Sequence, residues 1–302
     1  MHTEDACRAG DLEPQYRVAV LMSAYGCSPF MREQLLSIRE QLTHEDLLVV
    51  VDDGSRSVDW STLEDWPYPY LCWSRRTSVG SSVSFMELLL NPSVSARYYC
   101  WADQDDVWLP GKLHRQIEVL ESSSAALACA HGWRPFSVGP DGSWVTSRAQ
   151  TPVAQRSAAH YCFETPAPGM TLCLSHQARQ LLNSIGDPMR LQLLKHLPHD
   201  RLACAVIGFH GGMRILNEPF VAYRQHGANQ IGAPHASAWR RSLRRLRQVA
   251  RSWQTARAGK HLYAGLAEND RSKSRNLPPL RAQRLRSTAW ENAIFQFLAR
   301  IR

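Results

Sequence analysis

Residues 97–113 read RYYCWADQDDVWLPGKL, and the fold turns on this stretch. Arg97–Ala102 is aromatic and apolar and has the length of a buried strand. Asp103-Gln104-Asp105-Asp106 ends it abruptly with three carboxylates. Carboxylates packed at a strand end repel one another and persist where a cation or many donors compensate them. Beyond them, 110–121 has helical spacing and Ala125–His131 reads as the next strand.

Upstream, 17–23 (RVAVLMS) and Leu47–Val51 are further strand-like runs, and the second ends in Asp52-Asp53-Gly54-Ser55. Between them a helix is predicted after Pro29. Tyr70–Ser74 is a third strand, Gly80–Leu90 a helix stopped by Pro92, and Arg97–Ala102 a fourth strand. Strands alternating with helices predict an α/β fold, with a mostly parallel central sheet covered on both faces. Ligands of such sheets sit at the carboxyl ends of the strands. Both acidic clusters fall there, so carboxylates from separate strands should meet at one edge.

The remainder reads as a loop-rich stretch over 132–160, a short strand at Leu172–Leu174 and helix over 176–196. An apolar helix follows at Leu202–Phe209, then a strand at Ile215–Arg224 broken by Pro219. Three domains are expected: a tail over 1–16, a catalytic α/β domain over 17–234 and a basic helical extension over 235–302. That extension holds 16 Lys and Arg against three Asp and Glu, leaving 19 of the 35 basic and 24 of the 27 acidic residues to the body. The formal charge of +8 is therefore a property of the extension.

The polar N-terminus does not read as a secretory signal, and no apolar run approaches the ~18 residues of a membrane span. None of the eight cysteines has CxxC spacing, so they read as reduced core residues in the cytoplasm. In 239–253, apolar residues recur at helical spacing among arginines. Such a helix suits the anionic cytoplasmic face of an inner membrane, or packs on the body with a solvated basic face. Nucleic acid is not expected, because the body carries no nucleic-acid motif.

For several residues the chemistry admits two readings. Asp52-Asp53-Gly54-Ser55 suits a base or ribose contact, or an Asx-type turn. The 103–106 cluster suits Mg²⁺ or Mn²⁺ bridging a diphosphate, or a solvated acidic turn. Asp200 suits a general base, or the N-cap of the helix that follows it. Arg224 fits a phosphate through its fork, or a surface ion pair. His226 fits a metal or phosphate contact, or a hydrogen-bonded loop histidine.

VAVLMSAY at 18–25, VVVDDGS at 49–55 and WADQDDVWLPGKL at 101–113 together resemble family 2 glycosyltransferases of the GT-A fold, a Rossmann-like architecture. The last string, His199-Asp200 and YRQHGAN at 223–229 are similar to the bacterial rhamnosyltransferase-like branch. The likeness runs over about 17–232 and stops before the extension. It implies an inverting, metal-dependent transfer of one sugar, rhamnose by analogy, from a dTDP- or UDP-linked donor. The acceptor would be a hydroxyl of a glycan or lipid-linked glycan in lipopolysaccharide or O-antigen biosynthesis. Carried over by position, Ala24 and Tyr25 would line the nucleobase pocket and Asp53 would contact base or ribose. Asp103 and Asp105 would form the DxD element, with Asp105 the direct metal ligand. Asp200 would be the general base, and Arg224 and His226 would face the diphosphate or metal. Relatives often carry Glu-Asp at 199–200, an aromatic at 201, and Asn at the place of Ser78. The chain has no Gln-x-x-Arg-Trp motif of processive synthases, so single-sugar transfer is expected. The competing readings are a nucleotidyltransferase or nucleotide-sugar phosphohydrolase, and a non-catalytic scaffold. A nucleotidyltransferase would carry a Gly-rich, basic signature after the first strand, which Ser23-Ala24-Tyr25-Gly26 lacks.

Overall fold

The computed structural model describes residues 14–26, 28–152, 157–226 and 254–268, with isolated positions from 280 to 296. Residues 1–13 of the expected 1–16 tail and the arginine-rich stretch 239–253 lie outside the described residues.

A nine-stranded sheet forms the centre. Its strands are β1 (Tyr16–Ala24), β2 (Leu47–Asp52), β3 (Tyr70–Ser74), β4 (Ala96–Ala102), β5 (Val107–Trp108), β6 (Ala128–Val138), β7 (Trp144–Thr146), β8 (Leu172–Ser175) and β9 (Met213–Arg224). The order is β3-β2-β1-β4-β8-β6-β9-β5, with β7 on β6. β3, β2, β1 and β4 are mutually parallel, β8 runs antiparallel between β4 and β6, and β6 pairs parallel with β9. Every residue of β2 is buried, as expected for a parallel strand covered on both faces.

Helices α1 (Met31–Arg39) and α3 (Lys112–Glu121) cover one face; α2 (Ser81–Leu90), α4 (Ala158–Phe163), α5 (His176–Asn183), α6 (Asp187–Leu194) and α7 (His199–Phe209) cover the other. β1 shows how two-residue alternation serves both faces. Val18, Val20 and Met22 pack under α1 and α3, whereas Ala19 and Leu21 join the core beneath α2 and α7.

Three expectations change. The loop-rich stretch 132–160 holds the second half of β6 and all of β7. Its turn-forming residues mark an irregularity in pairing, because register shifts occur on either side of Gly132. A Cβ there would lie 2.7 Å from the Asn217 carbonyl oxygen and 2.8 Å from that of Gln150. The helix over 176–196 is two helices, divided where Gly186 takes φ 75° ahead of Pro188. Pro219 does not break β9, since Pro219 lies opposite Gly132 at that irregularity.

Residues 254–268 are helical, and Ala256, Leu262, Tyr263 and Leu266 are buried in the core shared with α4 and α7. At about 1.5–3 kcal/mol for each large side chain taken from water, this is a substantial anchorage. That part of the extension therefore packs on the catalytic body. No helix among the described residues is long and apolar enough to cross a membrane. The described cysteines are free thiols.

Candidate active site

Strand register sets the site. Ala24 stands beside Asp52, and Met22 beside Ala102, so β1, β2 and β4 end at one edge. There the Asp53 N–H donates to the Ala24 carbonyl at 2.8 Å. The Tyr25 N–H donates to Gln104 Oε1 at 2.9 Å, and Gln104 Nε2 returns a bond to the Tyr25 carbonyl at 3.1 Å. The Tyr25 side chain is 61% exposed, open above this edge. One continuous run of bonds thus links Asp53, Ala24, Tyr25 and the 103–106 loop.

Asp52 and Asp53 are satisfied within the protein. Asp52 accepts from the Ser55 N–H at 2.8 Å, the Ser55 hydroxyl at 2.6 Å and the Arg56 N–H at 2.7 Å. Burial pushes its carboxyl up, but these bonds outweigh burial and hold it below the usual carboxylate range. Asp53 accepts from the Ser78 hydroxyl at 2.7 Å and from the Val79 and Gly80 N–H groups at 3.2 and 3.0 Å. Arg75 Nε stands 3.4 Å from it. Gly54, at φ 88°, lets the 77–80 loop approach: a Cβ would lie 2.5 Å from Ser78 N. In this structure the Asp53 oxygens accept from the 77–80 loop, and so tie that loop to the end of β2.

The 103–106 cluster behaves otherwise. Burial, then Asp105, then Asp200 drive the Asp103 carboxyl up to about 7. Asp105 Oδ2 lies 2.8 Å from His226 Nε2. Asp106 is fully buried and its carboxyl is raised well above the usual range, first by burial and then by Asp103 and Asp105. Asp106 Oδ1 accepts the Arg224 N–H at 3.0 Å, while Oδ2 has no partner. Gln34 of α1 holds the loop from below by donating to the Asp103 carbonyl at 2.9 Å.

Arg224 also reaches the 103–106 loop. Its side chain is buried, donates through Nε to the Asp105 carbonyl at 2.9 Å and pairs with Glu33. Phe30 and Phe136 bracket its guanidinium at 4.4 and 4.6 Å. Its guanidinium thus ties the 103–106 loop to α1.

Asp200 lies in the first turn of α7 and is not its N-cap; that place belongs to Pro198. The helix is fixed by its neighbour. His199 stacks on Phe85 with centroids 4.5 Å apart and meets Trp101 of β4 edge-on at 4.7 Å. A Cβ on Gly169 would lie 2.7 Å from His199 Nε2, so only glycine admits this approach. Burial keeps His199 neutral by pushing its pKa down. Trp101 and Asp103 share one strand end, so this anchor carries Asp200 to the acidic cluster.

The structure thus brings Asp103, Asp105, Asp200 and His226 together, with Ala24, Tyr25 and Asp53 along the same sheet edge. Gln34, Gln104, Glu33 and Phe30 were not expected. Gln34 alone left a trace, a polar residue on the buried face of α1.

The model of glycosyl transferase family 2 matches residues 19–171, half of the chain. The chain belongs to this family. The family member is 22% identical over 250 residues to a dTDP-rhamnosyl transferase, RfbG, of Shigella flexneri, covering 77% of this chain and 80% of the relative. It is 25% identical over 228 residues to an uncharacterised glycosyltransferase of Nostoc sp., covering 70% of this chain and 66% of that one. Among solved structures it is similar to S. aureus TarS 1–349 in complex with UDP-GlcNAc, with a TM-score of 0.55 and 13% identity. That match covers 82% of this chain and 66% of the TarS chain. A mannosyltransferase of Pyrobaculum calidifontis in complex with GDP-Man and Mn²⁺ matches with a TM-score of 0.50 and 16% identity over 95% of this chain and 81% of that one. The fold of this glycosyltransferase is GT-A.

Proposed function

We propose that this glycosyltransferase moves one sugar, rhamnose from a dTDP-linked donor, onto a hydroxyl acceptor with inversion, in the assembly of cell-surface glycan. The observation that carries the reading is the meeting of Asp103, Asp105 and Asp200, where burial first and then the two neighbouring carboxylates lift the Asp103 carboxyl to about 7. No protein cation brings Asp103 back down, which is the state expected of a carboxylate that awaits a cation and a diphosphate.

The donor set fits Mg²⁺ or Mn²⁺. Asp105 Oδ2 and His226 Nε2 stand 2.8 Å apart, an oxygen and an imidazole nitrogen at one point. Among the described residues no trio of His, Cys, Asp and Glu converges as metal ligands. Two protein ligands leave room for phosphate oxygens, the usual habit of these cations with phosphate substrates. When bound, the ion neutralises the charge that develops on the leaving diphosphate.

The chain's own residues supply the rest. Asp200 takes the proton from the attacking hydroxyl, and His199 with Gly169 fixes where that carboxylate stands. Arg224, Gln34 and Asp106 hold the 103–106 loop, and Asp53 holds the 77–80 loop beside the nucleotide edge. The dTDP-rhamnose assignment is supported by the likeness to the dTDP-rhamnosyl transferase of Shigella flexneri. In this reading the enzyme works at the cytoplasmic face of the inner membrane on a lipid-linked acceptor.

Asp200→Asn tests the base. Transfer to a panel of glycosides, read by mass spectrometry, is expected to fall by about 10²–10⁴-fold with nucleotide binding retained. Retained transfer would remove Asp200 from the mechanism.

A further inference from the structure

We propose that Arg201, with Arg286 of the C-terminal extension beside it, forms a subsite for a phosphate or carboxylate of the acceptor, next to Asp200. The proposal rests on Asp200 marking the acceptor side.

Arg201 follows Asp200 in the first turn of α7. Its Nε donates to the Thr165 hydroxyl at 3.0 Å, which fixes the guanidinium on the segment after α4. Arg286 Nη1 donates to the Phe163 carbonyl at 2.8 Å, and its guanidinium lies 4.9 Å from the centre of the Phe295 ring. Three consecutive residues, 163–165, therefore hold two arginines from distant parts of the chain.

Asp200 and Glu164 act on Arg201 only from beyond ion-pair distance. Among the described residues no carboxylate lies within ion-pair distance of its guanidinium. Glu164, in the same segment, stands 3.1 Å from His160 instead. Asp200 Oδ1 accepts the Arg201 backbone N–H at 2.7 Å, not a guanidinium hydrogen. Burial pulls the Arg201 pKa down; Asp200 and Glu164 oppose this and Arg286 adds to it, with the downward pull prevailing. A guanidinium taken from water without a paired anion is costly. With Nε committed, its Nη edge offers the fork that grips phosphate or carboxylate oxygens. An acceptor anion placed there would orient the neighbouring hydroxyl toward Asp200.

The test uses the full chain and three probes: glucose 1-phosphate, methyl glucuronide and methyl glucoside. Thermal unfolding is followed with each, with and without saturating dTDP and Mn²⁺. Glucose 1-phosphate or methyl glucuronide is expected to stabilise the protein, and whichever does so identifies the anion. Methyl glucoside is expected to give no shift. Arg201→Gln should weaken the anionic probe by about ten- to a hundredfold, and Arg201→Lys by less. Thr165→Ala keeps both cations, frees Nε and is expected to cost a few-fold, which serves if Arg201→Gln does not fold. The dTDP shift should be the same in all variants. Equal binding of the three probes, no binding of any, or binding indifferent to Arg201 would overturn the proposal. Absence of a dTDP shift, with Arg201-dependent probe binding intact, would discard the donor reading and keep the subsite.

Discussion

Two strand ends, on either side of β1 along one sheet edge, treat their carboxylates in opposite ways. After β2, Asp52 and Asp53 are answered by hydroxyls and backbone N–H groups of the 53–56 and 77–80 loops. After β4, Asp103 is raised by burial and then by its neighbours, and Asp106 keeps an oxygen without a partner. The sequences DDGS and DQDD look alike as acidic turns. The structure separates them: the first spends its charge on building loops, and the second keeps raised carboxyls and an oxygen without a partner. Satisfied charge marks scaffold, and unsatisfied charge marks chemistry.

The sharpest way to break this contrast is to remove charge at the second end. Asp105→Ala should lower transfer by about 10³-fold or more, the scale of losing electrostatic stabilisation of the leaving group. Its melting temperature without ligand should not fall, because the loss relieves repulsion. A large drop in stability, measured by calorimetry, would make Asp105 scaffold.

Next in size is a change at the first end. Gly54→Ala puts a Cβ 2.5 Å from Ser78 N at a positive φ. We expect a loss of about 2–4 kcal/mol, read from denaturant unfolding. Nucleotide affinity should weaken as the 77–80 loop shifts.

A smaller effect follows from His131, buried in β6 beside neither end. Burial pushes its pKa well below that of the unfolded chain, and Lys112 adds to this. Its folded pKa is depressed, so the unfolded chain binds the proton first. Stability is therefore complete above the ordinary histidine pKa of about 6.5 and is lost as pH falls below it. Stability should fall by at most about 1.4 kcal/mol per pH unit once pH drops below about 6.5, seen as a falling melting temperature, and His131→Gln should flatten that fall.

The smallest effect expected is Glu33→Gln. Glu33 is half exposed, so its pair with Arg224 should contribute only about 0.5 kcal/mol after solvent screening. A detectable loss of transfer with little loss of stability would sharpen the role of Arg224 as a positioning residue.

The sequence made some of this legible and hid the rest for physical reasons. β1 to β4 were readable because apolar runs end in acidic turns, and periodicity and punctuation agree there. β6 was cut short because Gly132 and Pro135, needed for its irregular pairing, look like loop residues. β5 has two residues and exists only through β9. Convergence of the acidic clusters could be argued from topology. The partners of Arg224 could not, because Glu33, Phe30 and Phe136 lie far away in sequence. Asp200 was read as base or cap from position alone. What anchors it, His199 against Phe85 and Trp101, needed the fold.

The central claim is that the carboxylates at the second strand end serve a cation and a diphosphate together. Thermal unfolding of the full chain with Mn²⁺ alone, dTDP alone and both tests it most directly. The account predicts that the pair stabilises by clearly more than the sum of the two separate shifts. Additive shifts, or no response to dTDP with Mn²⁺ present, would contradict it.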